Sequence, residues 1–389
     1  MEQSNKITTL LGGGDDGWGI FLKSRRMIDE GIPVIELTVG EHDIRTHPDI
    51  LKAMHNAAIG GHTGYAMVPG NTDLRQAVAT RVQERTGVPT TMDNVLITPG
   101  GQSALFSSHL AVCDEGDTAL YIDPYYATYP ATLRAVGAIP QTIPAHAVDN
   151  FQPRAEEIAK HAAGAKSLLI NSPNNPTGVV YSRATLNGIA DVCRTHDLWL
   201  ISDEVYDTQI WQGEHICPRA LPDMAKRTLV VGSMSKSYAM TGSRIGWIVA
   251  PVAVIENLIN LATHTTYGVP GFIQDAALYA LGRGAPLEVE IAAPFKRRRE
   301  IAMDVLAGQN VVKHVPCMGA MYLMLDIRAT GLTGEGFADA LLEAEHIATM
   351  PGESFGTSAA GHLRVAMTVN DEAFREALER LVEFAKSLT

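Results

Sequence analysis

Short apolar runs alternate with longer segments of helical period from about residue 94 onward. The runs are rich in β-branched residues, which is typical of strands, and the segments between them have the spacing of amphipathic helices. Nearly continuous apolar runs, such as residues 167–170 and 198–201, indicate strands that are buried on both faces. This alternation predicts an α/β fold with a mostly parallel central sheet and helices on both faces.

The elements of this region can be placed from the pattern alone. The predicted strands are residues 94–98, 118–123, 166–171, 198–202, 228–232 and 244–250. The predicted helices between them include residues 101–113, 129–136 and 183–195, the last of which begins after Ser182 as its N-cap.

The regular alternation of strands and helices ends at a long predicted helix, residues 288–306. Strands at 311–315, 320–326 and 362–369 and helices at 335–345 and 371–387 follow it, and they predict a smaller α+β domain. The early strand at 33–38 is expected to join that domain. We therefore expect a large domain at 47–285 and a discontinuous small domain formed by 1–46 and 286–389.

Composition limits the classes of partner. The chain has 389 residues and a net charge of −12, which argues against nucleic-acid binding. The basic run at 296–299 lies in the long predicted helix and is expected to be a solvated helix face. Four scattered cysteines show no metal-ligand spacing, so we expect no metal and a reducing compartment. No apolar stretch suggests a signal or a membrane span, so a cytoplasmic location is expected.

Lys236 stands directly after a predicted buried strand, in Gly-Ser-Met-Ser-Lys-Ser-Tyr at 232–238. Open α/β sheets bind ligands at strand ends, where Ser233, Ser235 and Arg244 can bind a phosphate. A lysine in cationic or desolvated surroundings forms imines with carbonyls, including the aldehyde of pyridoxal phosphate. An ordinary surface lysine is the alternative.

A second predicted strand is followed by Asp203 and Tyr206. Asp203 can be a helix N-cap and nothing more. Alternatively, it pairs with a pyridinium nitrogen and keeps it protonated, so that the ring accepts electrons from a substrate carbanion. Tyr206 would then donate to the ring hydroxyl.

Two further loops follow predicted strands. Asn-Ser-Pro-Asn-Asn-Pro-Thr-Gly at 171–178 predicts a tight turn that leaves the Asn175 amide free to point into the same crevice. In Thr-Pro-Gly-Gly-Gln-Ser-Ala at 98–104, Gly101 lets backbone N–H groups approach an anion at a helix start. This is not the G-x-G-x-x-G fingerprint, so a dinucleotide cofactor is disfavoured.

In this order, four motifs resemble those of the class I/II aminotransferases of fold type I. They are Asn-Asn-Pro-Thr-Gly at 174–178, Ser-Asp-Glu-Val-Tyr at 202–206, Ser-Met-Ser-Lys at 233–236 and Thr-Gly-Ser-Arg-Ile-Gly-Trp at 241–247. The resemblance runs from Gly40 to Arg364. It implies a fold type I transferase that uses pyridoxal 5'-phosphate to move an amino group from an L-amino acid to a 2-oxo acid by a ping-pong mechanism.

The resemblance also implies roles for individual residues. Lys236 would hold the cofactor as an imine and move the substrate proton, while Asp203 pairs with the ring nitrogen. The other implied groups are Asn175 and Tyr206 for the ring hydroxyl, Tyr126 for stacking on the ring, Gly101, Gln102, Ser233, Ser235, Arg244 and the partner subunit's Tyr65 for the phosphate, and Arg364 with Asn175 and Gly40 for the substrate α-carboxylate. A core tyrosine and a surface arginine are the alternatives for Tyr126 and Arg364. A homodimer with shared active sites is implied.

The substrate is less constrained than the cofactor. Gln102 stands where members that accept dicarboxylic donors often have a lysine, so a dicarboxylic donor is disfavoured. Residues 199–206, 233–247, 272–277 and 320–332 look most like bacterial arginine–pyruvate transaminases. Glu41 or Asp43 could then meet a guanidinium, although both can equally be turn residues.

Two other functions remain open at the level of sequence. A β-lyase or a decarboxylase can use the same cofactor and fold, because the fold does not set the reaction outcome. A regulator that only senses the cofactor is the remote alternative, and no basic helix-turn-helix is predicted before Gly40.

Overall fold

The computed structural model describes residues 1–13 and 17–389, which form twelve strands and fourteen α-helices. The strands are β1 (Ile35–Leu37), β2 (Val95–Thr98), β3 (Thr118–Asp123), β4 (Ile139–Pro144), β5 (Ala165–Asn171), β6 (Trp199–Asp203), β7 (Thr228–Ser233), β8 (Gly246–Val249), β9 (Lys313–His314), β10 (Tyr322–Asp326), β11 (Ile347–Pro351) and β12 (His362–Ala366). The helices are α1 (Asn5–Thr8), α2 (Gly19–Asp29), α3 (Pro48–Ile59), α4 (Thr72–Thr86), α5 (Gly100–Val112), α6 (Tyr129–Ala135), α7 (Ala155–Ala162), α8 (Arg183–Thr195), α9 (Met234–Ser237), α10 (Val252–Thr263), α11 (Gly271–Arg283), α12 (Ala285–Leu306), α13 (Gly334–Glu345) and α14 (Asp371–Ser387).

The larger sheet has the strand order β2-β8-β7-β6-β5-β3-β4. Strands β3 to β7 pair in parallel, whereas β8 runs antiparallel to both of its neighbours. Asn171 at the end of β5 pairs in register with Asp203 at the end of β6. The predicted α/β fold with a mostly parallel sheet is confirmed, and the polar strand ends lie at one edge.

The second sheet has the order β1-β11-β12-β10-β9 and draws on both ends of the chain. Strand β1 runs parallel to β11, with Ile35 opposite Ile347. Strands β11, β12 and β10 pair antiparallel. The early strand therefore pairs with strands more than 300 residues away, although the domain boundaries at 46/47 and 285/286 remain a prediction.

Local signals located some elements well and missed others. Helix α8 begins as predicted, because the Ser182 hydroxyl accepts the Thr185 N–H at 3.1 Å. Strand β4 was not predicted. It contains Pro140 and Pro144, which have no N–H to donate to a neighbouring strand. The two prolines are tolerated because β4 lies at the edge of the sheet.

The prediction that residues 296–299 form a solvated face is wrong for Arg298, which is only 3% exposed. Its Nη1 and Nη2 donate to the two oxygens of Asp43 at 2.9 and 2.6 Å, and its Nε donates to Asp371 at 2.9 Å. These carboxylates come from segments far apart in sequence. Arg298 thus joins the segment after β1 to α12 and the start of α14.

We expect Arg298→Met to destabilise the fold, because it leaves Asp43 and Asp371 without this shared cation. The loss should be about 2 kcal/mol, since breaking a buried pair costs about 3–5 kcal/mol and these carboxylates are partly exposed. Urea denaturation followed by circular dichroism measures it. The control is Arg297→Met, an exposed pair with Asp371 that should cost less than about 1 kcal/mol. Equal losses in both variants would contradict the expectation.

Candidate active site

A cavity of about 300 Å³ lies where the ends of β5, β6 and β7 face residues of the second sheet. The predicted site residues that line it are Gly40, Gly101, Gln102, Tyr126, Asn175, Asp203, Tyr206, Ser233, Ser235, Lys236, Arg244 and Arg364. Its other lining residues are Trp18, Val39, Glu41, Leu105, Tyr129, Asn171, Val205, Thr241 and Tyr322. The structure therefore brings together every candidate for binding the cofactor or the substrate α-carboxylate except Tyr65.

Lys236 is carried by α9, a single turn that directly follows β7. Ser233 caps this turn, because its hydroxyl accepts the Ser235 N–H at 3.1 Å. The Lys236 amine donates to the backbone oxygen of Gly40, and the Gln209 amide donates to the Lys236 carbonyl at 3.3 Å. Lys236 is thus held at the strand end and lines the cavity, unlike an ordinary surface lysine.

Asp203 is a buried carboxylate, 4% exposed. The Tyr129 hydroxyl donates to its Oδ2 at 2.7 Å, and the Val205 N–H donates to Oδ1 at 3.3 Å. No helix begins here, so the N-cap alternative is wrong. Burial raises the pKa of Asp203 to about 6, and no ion pair to it occurs within the described part of the chain. A cationic ring nitrogen would supply the missing partner.

Arg364 lies on β12 and is 1% exposed, so the surface alternative is wrong. Its Nη1 donates to Asn175 Oδ1 at 3.0 Å and its Nη2 to the Thr38 carbonyl. The guanidinium carbon lies 4.6 Å from the Tyr322 ring centroid and 4.3 Å from that of Phe355. In residues 1–13 and 17–389, no carboxylate pairs with Arg364 and its Nε has no partner. Burial lowers its pKa, and a ligand carboxylate would complete the site.

The other end of the cavity has the groups that an anion requires. Helix α5 begins at Gly100, where any side chain would come within 2.6 Å of Arg244 Nη2. Arg244 is held by a bond from Nη1 to the Thr241 carbonyl at 2.9 Å. Ser233 and Ser235 line the same cavity. A helix N-terminus with an arginine and two hydroxyls fits a phosphate group.

Tyr126 and Gln102 line the cavity between these groups. Tyr126 is only half-buried, so it is not a closed core tyrosine, and its ring meets Tyr129 edge-on at 5.8 Å. The Gln102 side chain is held by the residues around the start of α6. Its Nε2 donates to the Thr132 hydroxyl at 2.7 Å, and its Oε1 accepts from the Thr128 hydroxyl at 3.1 Å.

The two acids that follow Gly40 differ in their surroundings. Both oxygens of Asp43 accept from Arg298, so the interpretation that Asp43 meets a substrate guanidinium is wrong. Glu41 lines the cavity and accepts from the Thr241 hydroxyl at 2.8 Å. Among the described residues no cation pairs with Glu41, so its charge remains available to a ligand.

Tyr65 does not line the cavity of its own chain. It is 92% exposed, and its ring meets that of Tyr267 edge-on at 5.1 Å. The expectation that it acts in a second subunit therefore stays a prediction.

Sequence reasoning missed Tyr129 and Tyr322, which line the cavity and contact candidate residues directly. The Tyr322 hydroxyl lies 2.9 Å from that of Tyr206. Tyr129 could have been found from its place at the start of the predicted helix 129–136, three residues after Tyr126. Tyr322 has no comparable local signal, because its place depends on the pairing of β10 with β12.

One cavity is lined by a strand-end lysine, a buried carboxylate, a buried arginine and a group of residues that fits a phosphate. This combination defines a pyridoxal-phosphate-dependent transferase of fold type I. Residues 32–381 match the family model of class I and II aminotransferases. The chain belongs to this family, and it is an aminotransferase.

Several proteins are similar to the chain over more than nine-tenths of its length. An arginine–pyruvate transaminase of Pseudomonas aeruginosa is 37% identical over 389 residues, which is 100% of this chain and 99% of that protein. An aspartate/prephenate aminotransferase of Thermus thermophilus is 33% identical, covering 92% of each chain. The structure of an aspartate aminotransferase from Thermus thermophilus with maleate superposes with a TM-score of 0.91 at 30% identity, covering 99% of each chain. These names favour amino transfer over the lyase, decarboxylase and regulator alternatives.

None of the helices in residues 1–13 and 17–389 has the length and apolar character needed to cross a membrane. No cluster of three or more His, Cys, Asp or Glu side chains there could hold a metal ion.

We expect Asp203→Asn to stabilise the cofactor-free protein at pH 7. The folded-state pKa of about 6 lies above the ordinary 3.8, so the native carboxyl stabilises the fold below about pH 4 and loses this effect as the pH rises through 6. The variant should therefore gain up to about 3 kcal/mol at pH 7 and progressively less towards pH 5. Thermal denaturation across this range measures the difference. Asp304→Asn, at an exposed position, should show no such trend.

Proposed function

We propose that this aminotransferase takes a donor without a side-chain carboxylate, and that Lys236 binds the cofactor and carries the substrate proton. The observation that carries the proposal is that the Lys236 amine, the Asp203 carboxylate and the Arg364 guanidinium line one cavity. Bound pyridoxal phosphate supplies an electron-poor ring that stabilises the negative charge left when the substrate α-proton is removed.

Each residue has a role that its contacts support. Asp203 holds a proton on the ring nitrogen, and Tyr129 keeps its carboxylate in place through the 2.7 Å hydrogen bond. Tyr206 and Asn175 bind the ring hydroxyl. Tyr126 would stack on the ring, while Gly101, Gln102, Ser233, Ser235 and Arg244 would bind the phosphate, the first two through their backbone at the start of α5.

The substrate carboxylate binds at Arg364 with help from Asn175 and the backbone of Gly40. Arg364 is already oriented by Asn175 and by two aromatic rings, so little side-chain entropy is lost when the carboxylate binds. The Lys236 amine contacts the Gly40 backbone, so it lies next to the end of the cavity where the substrate carboxylate would bind. This arrangement selects α-amino acids as a class.

The charges of the cavity determine which side chains it accepts. The described lining residues contribute three cations, Lys236, Arg244 and Arg364, and each already has a role. The Gln102 amide is engaged by Thr128 and Thr132 and offers no charge. A donor with a second carboxylate therefore lacks a cation from this chain.

Glu41 favours a donor with a cationic side chain, because it is an unpaired carboxylate at the cavity among the described residues. Arginine as donor agrees with this charge. Arginine and pyruvate are also the pair in the name of the Pseudomonas aeruginosa relative. Arginine is therefore the first donor to test.

We also propose a homodimer in the cytoplasm, with a large domain at 47–285 and a small domain at 1–46 and 286–389. The two separate sheets support the domains. Exposed apolar side chains at Ile59, Tyr65, Met67 and Tyr267 support a protein interface. The four cysteines are free thiols, which agrees with a reducing compartment.

Lys236→Ala should abolish amino transfer, because no other amine lines the described cavity. Its turnover should fall at least about 10⁴-fold, and the visible absorbance of bound cofactor should change with it. Stopped assays with arginine and pyruvate, together with absorbance spectra, test this. Lys226→Ala, which removes an exposed lysine at a surface ion pair, is the control. Native-like turnover by the Lys236 variant would remove the proposed mechanism.

A panel of donors with pyruvate, oxaloacetate and 2-oxoglutarate as acceptors tests the substrate class. We expect arginine to exceed aspartate in kcat/KM. Glu41→Gln should raise the KM for arginine about threefold and leave the KM for alanine nearly unchanged, because only an exposed side-chain charge pair is lost. Glu30→Gln, an exposed change outside the cavity, should alter neither value. Equal effects on arginine and alanine would exclude Glu41 as the side-chain partner.

A further inference from the structure

Tyr322 contacts residues that the proposed function assigns to two different tasks. It is 2% exposed and stands at the start of β10. Its hydroxyl lies 2.9 Å from the hydroxyl of Tyr206 and accepts from Asn175 Nδ2 at 3.5 Å. Its ring lies under the Arg364 guanidinium at 4.6 Å. One side chain therefore touches both the ring-hydroxyl side of the site and the carboxylate side.

The Tyr322 hydroxyl takes part in two hydrogen bonds. An amide nitrogen only donates, so Tyr322 accepts from Asn175, whereas either hydroxyl can be the donor in the bond between Tyr322 and Tyr206. Burial raises the pKa of Tyr206 well above its usual value, so this hydroxyl stays protonated. The bond to Tyr322 fixes the position of the Tyr206 hydroxyl relative to a ligand oxygen.

The rings of Tyr322 and Phe355 both lie against the Arg364 guanidinium, with their centroids 4.6 and 4.3 Å from its central carbon. A guanidinium held over aromatic rings gains cation–π energy and keeps its plane fixed. This matters because no described carboxylate pairs with Arg364. The ring thus holds the plane in which a substrate carboxylate would be bound.

Gly40 packs directly against the same hydroxyl. Any side chain at Gly40 would collide with the oxygen of Tyr322. The Gly40 carbonyl is the group that accepts from the Lys236 amine. Tyr322 therefore contacts both Arg364, where the substrate carboxylate would bind, and Gly40, which accepts from Lys236.

We propose that Tyr322 is a positioning residue for both halves of the site, its hydroxyl orienting Tyr206 and its ring orienting Arg364. The inference rests on the proposed function, which gives Tyr206 and Arg364 their roles. The hydroxyl and the ring of Tyr322 can be removed by different substitutions, so the effects on Tyr206 and on Arg364 can be measured separately.

Tyr322→Phe removes the hydroxyl and keeps the ring. We expect kcat to fall about tenfold, which corresponds to the loss of one oriented hydrogen bond, with a donor KM within about twofold of the native value. The visible absorbance maximum of bound cofactor should shift in the same direction as in Tyr206→Phe. Tyr322→Leu also removes the ring, so the KM for the donor should rise about tenfold in addition. The dissociation constant of 5-guanidinopentanoate, which has the carboxylate but no amine, should rise with it.

A double variant tests whether the two hydroxyls act together. If Tyr322 acts through Tyr206, Tyr206→Phe combined with Tyr322→Phe should lower kcat by no more than about twofold beyond Tyr206→Phe alone. Tyr121→Phe is the matched control, because it removes a hydroxyl from a buried tyrosine that does not line the cavity. It should leave kcat, KM and absorbance unchanged.

Distinct results would overturn each half of the inference. Native kcat and absorbance in Tyr322→Phe, or fully additive losses in the double variant, would remove the role of the hydroxyl. A Tyr322→Leu protein with the KM and inhibitor affinity of Tyr322→Phe would remove the role of the ring. If Tyr322→Leu does not fold, Phe355→Leu, which removes the other ring that contacts Arg364, tests the aromatic contribution. Failure of the proposed function is seen separately, as activity that persists in Lys236→Ala.

Discussion

Two buried charges of opposite sign face one cavity without a partner of the opposite charge among the described residues. Asp203 is held by Tyr129 and a backbone N–H, and Arg364 by Asn175 and two rings. Burying a charge without a counter-ion costs several kcal/mol, so the fold alone gains nothing from either one. A ligand with a cationic ring nitrogen and a carboxylate would offset both costs. Much of the architecture around the cavity serves to hold these two groups.

The two sheets hold them in different ways. Asp203 ends a buried parallel strand, where register with β5 fixes it beside Asn171. Arg364 lies on an antiparallel strand of the second sheet, opposite Met324 of β10 and Met350 of β11. The Arg298 cluster joins the segment after β1 to α12 and α14. Because the charges come from different sheets, packing between these sheets determines the distance between them.

Local sequence identified the chemistry well, since lysine, aspartate and glycine at strand ends have few other uses in combination. The positions of α8 and α14 were predicted to the residue, because caps and apolar periodicity are local properties. Strand β4 was missed because its prolines contradict strand propensity. The prediction of a solvated face at 296–299 failed for Arg298, because the partners of Arg298 lie 255 and 73 residues away in the sequence.

The sequence by itself determined the class of cofactor chemistry and the candidate residues, because these depend on residue type and on spacing along short segments. Only the tertiary structure decided that Asp43 is already paired while Glu41 is not, and that Tyr129 and Tyr322 support Asp203, Tyr206 and Arg364. Such contacts join residues that are distant in the chain. They follow from sheet register and from burial, which no single segment encodes.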